Sequence, residues 1–524
     1  MVRHLGTACL LPRASASSLG IDEARILALP DTAKERGVRM RSLMVARHGK
    51  VGVELFWQPL LPNDLVRTHS VTKSVVAMAA GCLVDDGLLS EDDLVLDLLP
   101  EHRALVDDPM GRLGRMRVRH LLSMTSGHLA EPPKQGVDDE LLAFLQTPMD
   151  AEPGERFFYT SAGVNALSAI LERTGGTSLE DLLRKRVLGP IGVTRFSMER
   201  CQSGVGKGSG GLALTIEDMC RVGQLLLQGG RWEGRQVIPE AWTRRMGSVE
   251  VEVPLMAAPA AWAGLRQGYG LLAWGCPDAG ARVLYGLNGQ FVVVLDDLDA
   301  VIVTAAAEPE AGRVLDLVWD LVVPTLRDGN ASSRPPCLPP AMVTTSHGLC
   351  PSRHALCPDV ARPLWEEADD TTLTLPPNHE SLVPEGFLRH VYTTSAQEEA
   401  RTGIARLVLS WDGRAASLSF EESGVMGAIT LGTFDSPRRS ALATMWGDFD
   451  VIAAAAWTGE RTLEVWLQVV GSEYWQLVTV GPSGSERRVS FQSGPARDGM
   501  GPARTYDAME SRQLPVTPRC LVRS

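Results

Sequence analysis

The pattern of hydrophobic and polar positions changes character along the chain. In its first part, apolar residues recur with the helical period in segments 71–89, 163–173 and 216–228, each of which ends within two residues of a glycine. In its last part, apolar and polar residues alternate one by one, as in β-strands. The alternating segments are 404–411, 416–420, 451–457 and 462–469. This pattern predicts a mixed domain of helices and strands followed by an all-β domain.

The first part also carries strand patterns at both of its ends. Residues 43–57 predict a hairpin, and residues 283–303 predict a second strand pair that turns at Asp296 and Asp297. Strands at both ends of a helical body can pair into one antiparallel sheet that the helices cover. The predicted fold class is therefore α/β of the α+β kind: an antiparallel sheet of about five strands flanked by helices, then a small all-β domain.

A composition shift separates the two parts. Residues 334–340 read Arg-Pro-Pro-Cys-Leu-Pro-Pro, and little periodic hydrophobicity follows them, which is typical of an interdomain linker. The predicted organisation is an N-terminal extension (1–10), a mixed domain (11–327), a Pro-rich linker (328–358), a β-barrel-like domain (359–492) and a C-terminal tail (493–524).

Composition and charge narrow the class of protein. The 524 residues include 51 Lys and Arg against 63 Asp and Glu, a formal net charge of −12, and 44% are hydrophobic. These values describe a soluble globular chain. No Lys/Arg-rich run is present that could neutralise the phosphates of a nucleic acid, so no nucleic-acid partner is predicted. The uncharged stretches are all shorter than a membrane-spanning helix needs, so no membrane partner is predicted.

Cysteine usage and the first residues bear on the compartment. Residues 1–11 make a poor signal peptide, and nine dispersed cysteines do not form the pattern of a small secreted disulfide framework. We therefore expect a cytoplasmic protein with mostly reduced thiols. Cys337, Cys350, His354 and Cys357 have only loose spacing within the predicted linker, so we predict no metal site. The oligomeric state stays open.

One short motif could carry chemistry. Ser70 and Lys73 lie three positions apart at the start of the helix predicted over 71–89, which places both side chains on one face. Burial would lower the pKa of the lysine, so that a neutral amine could accept the serine proton. The helix N-terminus would also favour a developing alkoxide. Alone, Ser-x-x-Lys is a weak signal, because chance copies are common and a solvated helix start is an equally simple interpretation.

Further segments change that interpretation, because together they resemble one family in the family's own order. They are Thr-His-Ser-Val-Thr-Lys-Ser (68–74), Val-Arg-His-Leu-Leu-Ser-Met-Thr-Ser-Gly (118–127), Pro-Gly-Glu-Arg-Phe-Phe-Tyr-Thr-Ser (153–161), Gly-Gly-Leu-Ala-Leu-Thr (210–215) and Gly-Leu-Asn-Gly-Gln (286–290). They resemble the serine β-lactamase-like hydrolases, which include class C β-lactamases, D,D-peptidases, family VIII esterases and nylon-oligomer hydrolases. The resemblance covers residues 11–327 and implies a β-lactamase/transpeptidase-like fold and serine hydrolase activity.

The resemblance also implies roles for individual residues. Ser70 is implied to be the nucleophile, Lys73 the general base, and Tyr159 the third catalytic group, which passes the proton. Ser161 stands where the family usually has an asparagine. Its single hydroxyl can still orient Lys73, with fewer hydrogen bonds than an amide would make.

The segment 286–290 is implied to bind the substrate carbonyl oxygen. The N–H of Leu287 maps to the oxyanion position, together with the N–H of the nucleophile, and Gly286 and Asn288 belong to the same substrate-binding stretch. β-Lactamases and carboxypeptidases place a basic residue on this strand near the substrate carboxylate. The nearest cation here is Arg282. If Arg282 points away, neutral esters or amides are the better substrates.

The predicted function is hydrolysis of a carboxylic ester or amide, β-lactams included, through a Ser70 acyl-enzyme that needs no cofactor. The expected partner is a small ester or amide substrate. Two alternatives stay open: an acyltransferase that uses the same site, and an inactive binding protein of the same fold. The glycine-rich segment 204–211 is predicted to be a mobile loop beside the cleft, and His120 and His128 are predicted to be structural.

Overall fold

The chain forms two units, residues 1–347 and 348–524. The computed structural model describes these ranges: 10–57, 60–107, 109–132, 139–253, 268–328, 342–345, 371–384, 402–411, 415–433, 437–444, 446–457, 462–472, 474–483, 486–494 and 504–512.

Among the described residues, all α-helices lie in the first unit. They are α1 (Glu23–Glu35), α2 (Val71–Asp85), α3 (Val95–Leu98), α4 (Pro100–Arg103), α5 (Val118–Leu122), α6 (Glu140–Gln146), α7 (Ser161–Gly175), α8 (Leu179–Leu183), α9 (Ile216–Leu227), α10 (Glu240–Arg245), α11 (Gly312–Leu317) and α12 (Val323–Asp328). The three helices predicted from periodicity are confirmed as α2, α7 and α9. None of the helices described combines the length and the apolar character needed to cross a bilayer.

The first unit is built on one large sheet. Its strands and the short ones around it are β1 (Met40–Arg47), β2 (Lys50–Trp57), β3 (Val66–Arg67), β4 (Ser197–Met198), β5 (Leu212–Leu214), β6 (Arg231–Trp232), β7 (Arg235–Gln236), β8 (Gly268–Tyr269), β9 (Trp274–Cys276), β10 (Ala281–Gly286), β11 (Gln290–Leu295), β12 (Ala300–Ala306) and β13 (Met342–Thr345). Eight of them form the sheet in the order β13-β2-β1-β12-β11-β10-β9-β8. Its neighbours are antiparallel except for the parallel pair β13 and β2.

Both predicted strand segments are part of this sheet, but 283–303 forms three strands, β10, β11 and β12, rather than one pair, because the chain also turns at 287–289. β1 pairs with β2 on one side and with β12 on the other, so the strands from the two ends of the unit meet at its centre. The sheet has eight strands rather than about five, because the segments β8, β9 and β13 extend its edges. α9 packs on β11 and β12. The result is the predicted antiparallel sheet covered by helices.

α2 is buried on every side rather than on one face. Each residue from Val71 to Leu83 is buried, although the sequence predicts an amphipathic helix. Small residues explain the difference, since they let neighbouring elements approach closely. A Cβ at Gly81, for example, would lie 2.6 Å from the indole ring of Trp242. α2 is therefore the central helix of the unit, and it carries Ser70 at its N-terminus.

The second unit is a ten-stranded barrel. Its strands are β14 (Thr371–Thr374), β15 (Ile404–Trp411), β16 (Ala416–Glu422), β17 (Val425–Leu431), β18 (Arg438–Thr444), β19 (Gly447–Trp457), β20 (Leu463–Val469), β21 (Trp475–Ser483), β22 (Glu486–Gly494) and β23 (Arg504–Arg512). They pair in the order β17-β16-β15-β14-β23-β22-β21-β20-β19-β18. β17 and β18 pack together, and Gly432 bridges to Ala454 of β19. Strands that follow one another in the chain are thus neighbours around a closed barrel.

Two of the predicted boundaries differ from the structure. β13 lies inside the predicted linker (328–358), where it pairs with β2, and β23 lies inside the predicted tail (493–524), where it pairs with β14 and β22. A sheet edge recruits such short segments because their unpaired backbone groups gain hydrogen-bond partners there. The predicted tail is wrong for 504–512, since without β23 the barrel would be open between β14 and β22.

Candidate active site

Ser70 stands at a sharp change of chain direction between β3 and α2. Just before it, Thr68 donates its N–H and its hydroxyl to the carbonyl oxygen of Leu212, both at 2.9 Å. His69 then adopts a left-handed backbone conformation with φ of 49°. Ser70 is the N-cap residue of α2, but its side chain caps no backbone N–H. The Ser70 Oγ is therefore left for other partners, and the residue is partly exposed to solvent.

Lys73 lies one helical turn further on and is fully buried. Its Nζ donates to the Ser70 Oγ at 2.9 Å, to the Ser161 Oγ at 3.4 Å and to the carbonyl oxygen of Ser209 at 2.5 Å. Three oxygens therefore surround the Lys73 Nζ. The predicted meeting of Ser70 and Lys73 on one face is observed.

Tyr159 approaches the same serine from the segment that precedes α7. The hydroxyl groups of Tyr159 and Ser70 are hydrogen-bonded to each other, and the Lys73 Nζ lies 5.1 Å from the centroid of the Tyr159 ring. The ring stacks on Trp274 at 5.8 Å and meets Tyr269 edge-on at 6.2 Å. Burial among these groups raises the pKa of Tyr159, because it disfavours the phenolate. Ser70, Lys73 and Tyr159 thus form one cluster with a neutral phenol.

The start of α7 holds the other predicted neighbour of Lys73. Ser161 is the first residue of α7, and Thr160 caps that helix by accepting the N–H of Gly163 at 3.3 Å. Ser161 accepts the long hydrogen bond from Lys73, as the resemblance implies. The carboxylate of Glu131 accepts the backbone N–H of Ser161 and, at 3.3 Å, that of Ala162. Sequence reasoning missed Glu131, because no motif marks a carboxylate that reaches a helix N-terminus from a distant loop.

The segment 207–211 supplies a further contact that the sequence did not predict. Ser209 accepts from Lys73 with its carbonyl oxygen, and its N–H donates to the Asn165 Oδ1 at 3.0 Å. A Cβ at Gly208 would lie 2.0 Å from the Ser168 Oγ. The glycine-rich loop does border the cleft, as predicted, but the part from Lys207 onward is packed against α7 rather than mobile. Its site contact is a backbone carbonyl, which no residue-type pattern can reveal.

The strand end at 286–290 lies beside the chain that leads into Ser70. A Cβ at Gly286 would lie 2.2 Å from the carbonyl oxygen of Thr68, so only glycine fits there. Leu287 follows with 39% of its surface exposed. Asn288 is buried in a left-handed conformation with φ of 60°, which asparagine tolerates better than most residues. The stretch predicted to bind substrate thus begins in contact with the segment that leads into Ser70.

Gln290 stabilises this turn and was not among the predicted site residues. Its side-chain amide donates to the carbonyl oxygens of Leu287 and Ala306, at 3.0 and 2.9 Å. The side chain thereby holds the 287 peptide against β12. The glutamine of the Gly-x-x-Gly-Gln pattern is the sequence feature that could have indicated this role.

Arg282 is bound elsewhere. Its guanidinium forms an ion pair with the carboxylate of Asp296 and donates to the carbonyl oxygens of Thr243 and Leu226, at 3.2 and 3.3 Å. The nearest cation on the substrate-binding strand is therefore held by protein acceptors. These partners of Arg282 favour the expectation of neutral substrates.

The two histidines of the 118–128 region have structural contacts. The His120 Nδ1 accepts the N–H of Arg117 at 3.0 Å. His128 is fully buried, with its ring 4.5 Å from that of Phe144. Burial lowers the pKa of each of these histidines to about 4. Both are therefore neutral near pH 7 and tie the segments around the site together.

No group of side chains with the makings of a metal site occurs among the described residues. The loosely spaced set of Cys337, Cys350, His354 and Cys357 lies outside them. The four described cysteines, Cys82, Cys201, Cys220 and Cys276, are buried free thiols.

Comparison with known proteins agrees with the fold and with the motifs. The Beta-lactamase family matches residues 28–320, more than half of the chain. The 6-aminohexanoate-dimer hydrolase of Paenarthrobacter ureafaciens is 23% identical over 290 residues, which cover 51% of this chain and 73% of that protein. Esterase EstB of Burkholderia gladioli is 28% identical over 209 residues, 34% of this chain and 53% of that protein.

A solved structure shares the fold of the first unit. It is that of a Bacillus anthracis protein assigned as a 6-aminohexanoate-dimer hydrolase, with a TM-score of 0.50 at 16% identity over 61% of this chain and 88% of that one. Since the family match spans most of the first unit and includes its Ser-x-x-Lys helix, this chain belongs to the Beta-lactamase family of serine hydrolases.

Proposed function

We propose that this protein hydrolyses a neutral carboxylic ester or amide through an acyl-enzyme on Ser70. The observation that carries the proposal is the position of the Ser70 Oγ, which is hydrogen-bonded to both the Lys73 Nζ and the Tyr159 hydroxyl. A serine hydroxyl is a weak nucleophile unless a neighbouring base takes its proton. Here two proton-transfer groups contact a serine that solvent can reach.

In the first step, the Ser70 Oγ attacks the carbonyl carbon of the substrate. Its proton passes to Lys73, which needs to be in the neutral amine form to accept it, and the carbonyl oxygen becomes an oxyanion. Because burial keeps the Tyr159 phenol protonated, this phenol is suited to donate a proton to the leaving alcohol or amine. Lys73 then returns a proton to Tyr159, and the acyl group stays on Ser70.

The oxyanion is proposed to accept hydrogen bonds from the N–H groups of Ser70 and Leu287. The first N–H lies at the N-terminus of a fifteen-residue helix, where the helix dipole favours negative charge. The second follows Gly286, whose lack of a side chain allows the strand to approach Thr68. Each such donor contributes about 10²- to 10³-fold to the rate. Water then attacks the acyl carbon, and the same groups return the proton to Ser70.

The proposed substrate is neutral near its reacting carbonyl group. Arg282 is bound to Asp296 and to two backbone carbonyls, and Glu131 places a carboxylate beside the site. A substrate carboxylate would thus gain no partner from Arg282 and would be repelled by Glu131. The similarity to a 6-aminohexanoate-dimer hydrolase and to an esterase supports a hydrolase of this kind.

Turnover of p-nitrophenyl esters by the full chain and its Ser70→Ala variant tests the proposal. We expect kcat to fall by about 10⁶ in the variant, the scale seen when a serine nucleophile is removed. A fluorophosphonate should label the parent chain on Ser70 and leave Ser70→Ala unlabelled. Ser18→Ala, which changes an exposed serine, is the matched control. Retained turnover or labelling by Ser70→Ala would contradict the assignment.

The same acyl-enzyme could pass its acyl group to an alcohol or amine instead of water. Product analysis with an added alcohol distinguishes the two outcomes, because acyl transfer yields a new ester in place of the free acid. A panel that also contains short amides and β-lactams identifies the substrate class. Faster turnover of anionic β-lactams than of neutral esters would overturn the neutral-substrate part of the proposal.

A further inference from the structure

The barrel contains a cavity that the proposed hydrolase chemistry does not use. Its volume is about 620 Å³, which includes open solvent at its mouth. Nine apolar side chains and one basic side chain line it. They include Leu418, Trp457, Leu463, Val480 and Arg487. Small closed barrels either fill their interior with side chains or hold one small ligand, and this one leaves space.

The two ends of the barrel differ. At the end where β15 begins, a buried polar cluster closes the interior: Glu422 accepts from the Ser381 hydroxyl at 2.6 Å, and Glu380 accepts from the Tyr506 hydroxyl at 2.8 Å. Asn378 ties the same segment to the backbone of Ile404. This end therefore holds buried polar groups that hydrogen-bond to one another.

The opposite end carries the cavity. There β19 ends at Trp457 and β21 ends at Ser483, and β20 and β22 begin at Leu463 and Glu486. Trp457, Leu463 and Val480 line the space. The cavity is therefore an apolar pocket at this end of the barrel.

Arg487 is a basic group on the inner wall of this pocket. It is the second residue of β22, opposite Pro482, and the alternate residues Val489 and Phe491 of the same strand are buried in the barrel core. Its neighbour Arg488 points to the outer face, where it is half exposed and pairs with Asp507 at 3.1 Å. The strand thus presents one arginine inward and the next outward.

We propose that this pocket binds one molecule of an apolar carboxylic acid, such as a medium-chain fatty acid, with its chain in the barrel and its carboxylate on Arg487. The apolar wall favours a hydrocarbon chain, since burial of each methylene contributes about 0.8 kcal/mol. A guanidinium has five N–H donors, so it can bind a carboxylate while keeping a protein partner. An arginine–carboxylate pair is stronger in such a low-dielectric setting than in water.

Calorimetric titration of the full-length Ser70→Ala protein with octanoate tests this binding, because that variant separates it from turnover. We expect saturable binding at one site per chain, tighter for octanoate than for octanol. From hexanoate upward, the Kd should fall by about fourfold per added methylene until the chain fills the pocket. Absence of octanoate binding up to millimolar concentration, or equal binding of octanol, would overturn the proposal.

A matched pair of variants locates the site. Arg487→Gln should weaken octanoate binding by about 10- to 100-fold, the range of a hydrogen bond to a charged group, and should abolish the preference over octanol. Arg488→Gln, one residue along the same strand but on the outer face, should change neither. Leu418→Trp should block binding by filling the pocket. Octanoate binding that is indifferent to both Arg487→Gln and Leu418→Trp would place the ligand elsewhere and refute the proposal.

Discussion

Each unit of the molecule places a basic side chain inside its fold, but in opposite chemical settings. Lys73 of the first unit is surrounded by oxygen acceptors, those of Ser70, Ser161 and Ser209, and one of them is a hydroxyl that solvent can reach. Arg487 of the barrel lies in a wall of leucine, valine and tryptophan side chains. A basic side chain is thus placed once among hydroxyl and carbonyl oxygens and once beside an apolar wall.

This difference in surroundings suits Lys73 to proton transfer and Arg487 to the binding of an anion. A lysine can gain and lose a proton, and the contact of Lys73 with the Ser70 Oγ suits it to exchange a proton with the proposed nucleophile. An arginine stays charged at all ordinary pH values and offers a rigid set of donors, which suits it to hold an anion. The comparison predicts that variants in the first unit change turnover without changing octanoate binding, and that Arg487 variants do the reverse.

After Ser70→Ala, the largest loss of ester turnover is expected from a substitution of Lys73, the proposed general base. Lys73→Met keeps most of the side-chain volume in the buried site but removes the proton acceptor, so ester turnover should fall by about 10²- to 10⁴-fold. Octanoate binding by the barrel should stay unchanged. Lys34→Met, which changes an exposed lysine of α1, is the control. Turnover that survives Lys73→Met would assign the base to another residue.

A smaller loss of turnover is expected from a substitution of Tyr159. Tyr159→Phe keeps the stacking on Trp274 but removes the hydroxyl, and kcat should fall by about 10²-fold, the lower end of general acid–base effects. Burial raises the pKa of Tyr159 above its usual value of about 10. The phenol therefore stays protonated from about pH 6 to 10. The shape of the kcat/KM profile over that range should therefore be the same in the variant. Loss of one limb of the profile in Tyr159→Phe would show that a phenolate acts as the base.

The smallest of the three effects is expected from a change of geometry alone. Gly286→Ala forces the strand end away from the Thr68 carbonyl, and a displacement of about 1 Å near the reacting atoms can cost up to about 10²-fold in rate. Gly175→Ala, where the new Cβ has only ordinary contacts at 3.6 Å or more, should leave the rate unchanged. Circular dichroism checks that both variants fold. Full activity of Gly286→Ala would show that the close approach is not needed for the oxyanion site.

Much of the site was predictable because its spacing is local. Ser70 and Lys73 are one helical turn apart, so any helix over 71–85 brings their side chains together. The role of Tyr159 came from a motif and not from periodicity. Glu131 and Ser209 were missed, because one reaches the site from a loop and the other contributes only its backbone carbonyl.

The sequence by itself determined the helix that presents Ser70 and Lys73, the hairpins at both ends of the first unit, and the one-by-one alternation of the barrel strands. These features depend on neighbours within a few residues. The tertiary structure alone decided that Lys73 meets Ser161 and Ser209, which lie 88 and 136 residues away along the chain. It also decided that β23 completes the barrel and that the barrel keeps an apolar pocket with Arg487 on its wall. Such contacts result from the packing of whole elements, which local periodicity does not encode.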